Sequence, residues 1–249
     1  VSPRTVALAA AMLGVSLLTS CTHEKPQQPT PTWEDKDRST TRWIPNPVAD
    51  LMSPEGTFVR AVTESWSAAQ SAPGEGMDAI RAGGYPGFDH AFNNAWRPEG
   101  VGGTVRYPYE TVGTRYAQIV ELRRDGDQFT AGVCEYGSLT AGKLPDGTYE
   151  SSGSQSLGHA QWFTFGPDPK LPAEQQHSPM SNQRGPAKQP VDNVFGTWVL
   201  THVDIAAIDL PQCNKLAPGT PDNWPKPYIR TDPPPTLPND PGWPEGSAA

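Results

Sequence analysis

The sequence predicts an α+β domain whose N-terminal helices pack on one face of a curved antiparallel sheet. Three observations predict it. A well-signalled helix start at Ser53-Pro54-Glu55 is followed by apolar residues on one helical face. Beyond Trp96 the texture changes to short β-rich runs. Those runs are joined at one point by Asp125-Gly126, a strong hairpin signal. Helices first and strands afterwards describe helices segregated to one side of an antiparallel sheet.

In the first helix Ser53 is the expected N-cap, Pro54 takes the first position and Glu55 supplies the acidic first turn. Phe58, Val62, Trp66 and Ala69 recur at spacings of four, four and three, which builds one buried face. "SAPGEG" stops it, a second helical stretch runs over Met77 to Ala82, and Phe88, Phe92 and Ala95 with Trp96 predict a third short helix. The expected strands come next: "TVRYPYE", then "TRYAQIVELRRDGDQFTAGVCEYG" as a hairpin, then Gly158 to Gly166 and Val194 to Ile205. Between the last two lies a polar, Pro-rich insertion, 167–193, whose composition favours disorder. The domain is thus expected over 54–212, flanked by a disordered tether, 21–53, and a Pro-rich tail, 213–249. Eleven of the thirty-nine residues from Pro211 to the end are proline, which predicts an extended tail free to meet a protein partner. Trp33 and Trp43 in the tether either sit at a membrane interface or fold back on the domain, and fold-back is the plainer reading.

Composition agrees with much chain outside a core, since hydrophobic residues make up 35% and prolines number 29 in 249 residues. The net charge is −8, with no Lys/Arg cluster. That balance argues against nucleic acid and against electrostatic adhesion to anionic lipid.

The first twenty residues are expected to be a signal peptide. Arg4 is followed by the thirteen apolar residues Val6 to Leu18, "VALAAAMLGVSLL". A helix of that length rises roughly 20 Å, short of the about 30 Å hydrocarbon core, so it suits an export signal better than a permanent span. "LTSC", ending at Cys21, then gives way to the polar "THEKPQQPTPTWEDKD". This arrangement resembles the lipobox of bacterial exported lipoproteins, of mycobacterial or actinobacterial type in its heavy use of Pro, Ala and Gly. The resemblance implies a diacylglyceryl group on the Cys21 sulfur, cleavage before it, and a protein held at the extracytoplasmic face of the cell membrane. Conventional secretion with Cys21 near the cut and a retained N-terminal core helix are the alternatives. Each buried methylene contributes about 0.8 kcal/mol, so two acyl chains hold firmly where one holds marginally. A flexible tether of this length reaches roughly 30 Å.

The order of elements from Phe58 to Ile205 is similar to the nuclear-transport-factor-2-like (NTF2-like) cone, which implies a cup between helices and sheet. That fold hosts binding proteins and enzymes alike, so it does not choose between them.

With Cys21 acylated, Cys134 and Cys213 remain as an even pair, expected to be joined in an oxidising compartment; the alternative is a buried free Cys134 and an exposed Cys213. "GSLTAGKL", Gly137 to Leu144, matches a phosphate-loop pattern except at its end. There Leu144 replaces the magnesium-binding hydroxyl and Pro145 obstructs the helix, so a plain turn is expected and no nucleotide. His90, His159, His177 and His202 are too scattered to suggest a metal, no cofactor signature occurs, and neither a GxSxG nor a Ser-x-x-Lys nucleophile motif is found. No catalytic residue can be named. Glu121, Glu135, His159 and His202 on expected strands either line a cup or face solvent, with the solvated face the plainer reading. Trp162, Phe163, Phe165 and Trp198 are expected in the core; lining a cavity they would suit apolar or sugar-like ligands.

The sequence therefore points to a non-enzymatic, lipid-anchored envelope protein that binds an apolar or other envelope ligand or a partner. An envelope enzyme with a dispersed acid–base site is the first alternative. A structural or immunity-type interaction protein, bacterial or phage-encoded, is the second.

Overall fold

The computed structural model describes residues 35–102, 109–151, 157–221 and 228–246. The expected signal peptide, Cys21, Trp33 and the tether up to residue 34 lie outside them. So do 104–108 of the expected "TVRYPYE" strand and 222–227 of the tail.

Helix α1 spans Pro54–Ser71, and the Ser53 side chain caps it by accepting the Gly56 N–H at 3.0 Å. Pro54 stands where its missing N–H costs nothing. The shorter α2 (Met77–Gly83) and α3 (Phe88–Phe92) follow, close to the stretches read from the sequence.

A short strand β1 (Thr40–Trp43) precedes the helices. After them come β2 (Thr111–Asp125), β3 (Gln128–Tyr136), β4 (Thr140–Lys143), β5 (Tyr149–Ser151), β6 (His159–Pro167), β7 (Trp198–Asp204) and β8 (Tyr228–Arg230). They form an eight-stranded sheet in the order β7-β6-β3-β2-β4-β5-β8, antiparallel along this path, with β1 pairing β2 in parallel. β2 and β3 meet in the expected hairpin: Asp125 pairs with Gln128 across Gly126 and Asp127. Gly126 takes φ +59°, the left-handed value a two-residue hairpin turn needs and glycine adopts without strain. One extra residue interrupts the ladder between Ile119 and Glu121, a bulge of the kind that bends a strand. At Gly113 (φ +101°) a Cβ would meet the Leu139 carbonyl oxygen at 2.2 Å, so only glycine lets β2 pass so close to the chain entering β4. Thr140–Lys143, inside the stretch read as a plain turn, is itself strand.

The helix-side face of the sheet carries the main core. Ala117 and Ile119 of β2, Ala131 and Val133 of β3, and Phe163 and Phe165 of β6 alternate inward, and all are buried. Phe58 of α1 stacks on Phe165 with centroids 4.7 Å apart, and Phe129 stacks on Trp198 at 5.2 Å. The opposite face holds a smaller cluster around Cys134, Tyr136, Leu210 and Cys213. Cys134 and Cys213 are joined there as a disulfide, with Cα atoms 5.1 Å apart.

The described parts of the expected disordered tether and insertion, and of the expected extended tail, are instead built into the domain, and the expected bounds 54–212 are too narrow. Residues 35–53 include β1, and Trp43 is buried, the fold-back reading. In the insertion the Asn182 N–H donates to the Met52 carbonyl at 2.8 Å, and Ala187 exchanges two backbone bonds of 3.0 Å with Trp243. The tail from Pro234 on runs alongside β1: the Trp43 N–H donates to the Asp240 carbonyl, and the fully buried Trp243 lies beneath the Arg60 guanidinium at 4.3 Å. The reason is polar. Arg60, in mid-helix and fully buried, donates to the carbonyls of Gln183, Pro241 and Gly242 at 2.8 to 3.0 Å. Glu64, one turn on, accepts from the indoles of Trp43 and Trp243 and from the Tyr85 hydroxyl. Proline-rich chain needs few ladder partners, and here two charged helix side chains satisfy what remains.

Candidate functional site

Followed along the strands, the apolar helix-side face turns polar at one end. The period of two that buries Ala117, Val133 and Phe163 places Arg115, Glu135 and Gln161 on the same side, with His159 two residues before Gln161. Glu135 is paired with Ala117 on one side and with His159 on the other. Above them lies the C-terminal end of α1, with Trp66, Ser67, Gln70 and Ser71. Asp37, just before β1, and Leu157 complete the walls of a cleft of about 420 Å³.

Gln161 organises the floor. It is only 2% exposed, and its Nε2 donates to Glu135 Oε2 at 2.7 Å and meets His159 Nδ1 at 3.3 Å. An amide nitrogen can only donate, so in the neutral ring Nδ1 is the acceptor and the remaining ring nitrogen carries the proton, while the charged ring attracts the Glu135 carboxylate. The other end of the same amide, Oε1, is buried and accepts no hydrogen bond among the described residues.

The two carboxylates of the cleft are pushed in opposite directions. Burial drives the Glu135 carboxyl above the ordinary glutamate range, and the attraction of Arg115 and His159 and the bond from Gln161 offset this only in part. Asp37 is also desolvated, but Arg115, Lys188 and the Ser39 hydroxyl and N–H together hold it below the usual carboxylate range. Its Oδ1 accepts from Ser39 Oγ at 2.5 Å and from the Ser39 N–H at 2.9 Å; its Oδ2 is 3.8 Å from Arg115 Nη2. Asp37 is thereby committed to holding its neighbours, whereas Glu135, which lines the cleft, accepts one side-chain hydrogen bond, from Gln161, among the described residues.

Of the residues read from the sequence, Glu135 and His159 come together here. Glu121 does not: it pairs with Arg123 at 2.8 Å, away from the cleft lining. His202 is exposed on β7 and takes no part. Phe163, Phe165 and Trp198 are core, and Trp162 faces the other way, donating to Asp209 Oδ1 at 2.7 Å. Arg115, Gln161 and Asp37 were not foreseen. Continuing the alternation two residues past the last apolar position of β2 and β6 finds the first two; nothing local marks Asp37. Among the described residues no group of three or more His, Cys, Asp or Glu is placed to hold a metal ion.

Comparison of the chain with protein families, curated proteins and solved structures finds no match.

Proposed function

We propose that the chain is a lipid-anchored extracytoplasmic protein that holds a small polar ligand in the cleft between α1 and the sheet. The observation that carries the ligand reading is the convergence of Arg115, Glu135, His159 and Gln161 on one polar patch of an otherwise apolar face. Burying a carboxylate and an amide there costs stability unless something is gained. The core does not need them, and a ligand does. A cleft between helices and sheet is also where an NTF2-like cone would offer its cup. The anchor reading rests on "LTSC" at Cys21 and the apolar run before it.

Two experiments test these parts separately. Cys21→Ala should release the protein from membranes or block its processing; unchanged fractionation and mature mass overturn the anchor. Native mass spectrometry of the protein extracted from membranes should show a bound small molecule, lost in Gln161→Leu. A ligand-free parent overturns the cleft reading. The second reading, an acid–base enzyme, is favoured by the raised Glu135 carboxyl beside His159. It requires turnover of a chromogenic ester or glycoside that Glu135→Gln abolishes.

A further inference from the structure

We infer that the occupant of the cleft is a neutral, polyhydroxylated molecule of one or two sugar-like rings; this rests on the cleft being a ligand site. Charge is the first argument. The cleft's permanent cation, Arg115, stands beside Asp37, and Lys188 is a second partner of that carboxylate. Glu135 is held by Gln161 and faces the same Arg115. The charges answer one another, so no surplus of either sign is left to select an ion. Burial of a full charge against such a set would require a counter-charge that the walls do not supply.

Hydrogen-bond polarity is the second argument. The Glu135 carboxylate accepts only, while Arg115 and the protonated ring nitrogen of His159 donate only, and the buried Gln161 amide sets their spacing from behind. They alternate over a few ångströms, because Glu135 and His159 are directly paired residues and Gln161 bonds to both. The group that meets an acceptor and an adjacent donor equally well is the hydroxyl, which gives one bond and takes two. A carboxylate ligand would leave the acceptors opposed, and an ammonium would leave the donors unused. Several adjacent hydroxyls on one rigid ring satisfy all three at low entropic cost. The rim adds Ser67 and Gln70, which both give and take, and Trp66 and Leu157 give apolar surface for the C–H faces of a ring. A volume of about 420 Å³ lies within the range that takes a small molecule.

The test is calorimetric titration of the full chain in detergent with glucose and maltose. Parallel titrations with succinate and ethylenediamine supply a dianion and a dication of similar reach. Saturable binding of at least one sugar and of neither ion is expected. Gln161→Leu, which removes the organising amide, should weaken sugar binding by at least about tenfold, the loss of more than one hydrogen bond. Gln70→Ala, at the rim, should weaken it by about threefold and leaves the buried amide intact, so it serves if Gln161→Leu melts early. Binding of succinate or ethylenediamine instead, with the same sensitivity to these changes, overturns the polyhydroxyl assignment and leaves the ligand cleft standing. Sugar binding indifferent to both substitutions places it elsewhere and overturns the assignment. Binding of none of the four overturns it as well, and the mass of the membrane-extracted protein then decides whether the cleft holds some other molecule.

Discussion

At the scale of single residues, Glu135 is the group whose placement costs most and explains most. Its carboxyl is half-buried against Trp66 and Gln161, facing Arg115 and His159, with the Glu64 charge further along α1 adding to the upward push. The folded chain therefore holds this proton more tightly than the unfolded one does. Where the native state binds more protons, stability falls as pH rises. The contribution is complete below the unfolded value of about 4.3 and is lost as pH climbs through the raised native value. Urea unfolding of the parent and of Glu135→Gln over pH 4 to 8 should show the difference between them shifting against the parent across that window. A difference constant with pH would mean that Glu135 titrates alike in both states.

At the scale of elements, the tail behaves as part of the core. Its anchor is Trp243, fully buried under Arg60 and bonded through its indole to Glu64 Oε2 at 2.7 Å. Trp243→Ala removes a large buried side chain and a partner of a half-buried carboxylate, so it should cost about 3 to 5 kcal/mol. Urea midpoints read this, and limited proteolysis should then cut within 229–246. A loss below about 0.5 kcal/mol would be that of a surface substitution and would show the segment resting on the domain without supporting it. Helix α1 shows why this part was illegible in the sequence. Phe58, Val62, Trp66 and Ala69 announce one buried face through their spacing, and the structure buries them. Arg60 and Glu64 lie on the other face and read as solvated, because nothing local says that a segment some 180 residues away will cover them. The capped helix α1 and the Asp125-Gly126 hairpin were legible because their signals are local. Strands β1, β5 and β8 carry only three or four residues each, too few for periodicity to find, and β1 and β8 borrow their pairing from distant chain. The cleft was half legible: Glu135 and His159 stood out as ionisable residues on strands, while Gln161 and Arg115 matter through what they touch.

At the scale of the whole molecule, the disulfide ties the interior strand β3 to the chain that leads into the tail. Cys134 lies on β3, one residue before Glu135, and Cys213 lies 79 residues later in a short 3₁₀ turn on the opposite face of the sheet from α1. Both are buried, and the Cys213 N–H is held by the Leu210 carbonyl at 3.0 Å. The bond therefore braces from behind the strand that presents Glu135 to the cleft. On the chain-entropy account, closing a loop of this length restricts the unfolded state by about 4.5 kcal/mol, a large share of what a domain has in total. It also links stability to compartment, since such a bond forms and persists outside the cytoplasm. On the proposal that residues 1–20 direct export, the chain produced with them should carry the bond, and its mass after alkylation should rise by two alkyl groups only if it is first unfolded and reduced. The chain without residues 1–20, retained in a reducing cytoplasm, should lack the bond and unfold at lower urea by an amount close to that of the Cys134→Ala/Cys213→Ala double variant. Equal stability of all three forms would show that the fold does not depend on the bond and would remove the link between export and stability.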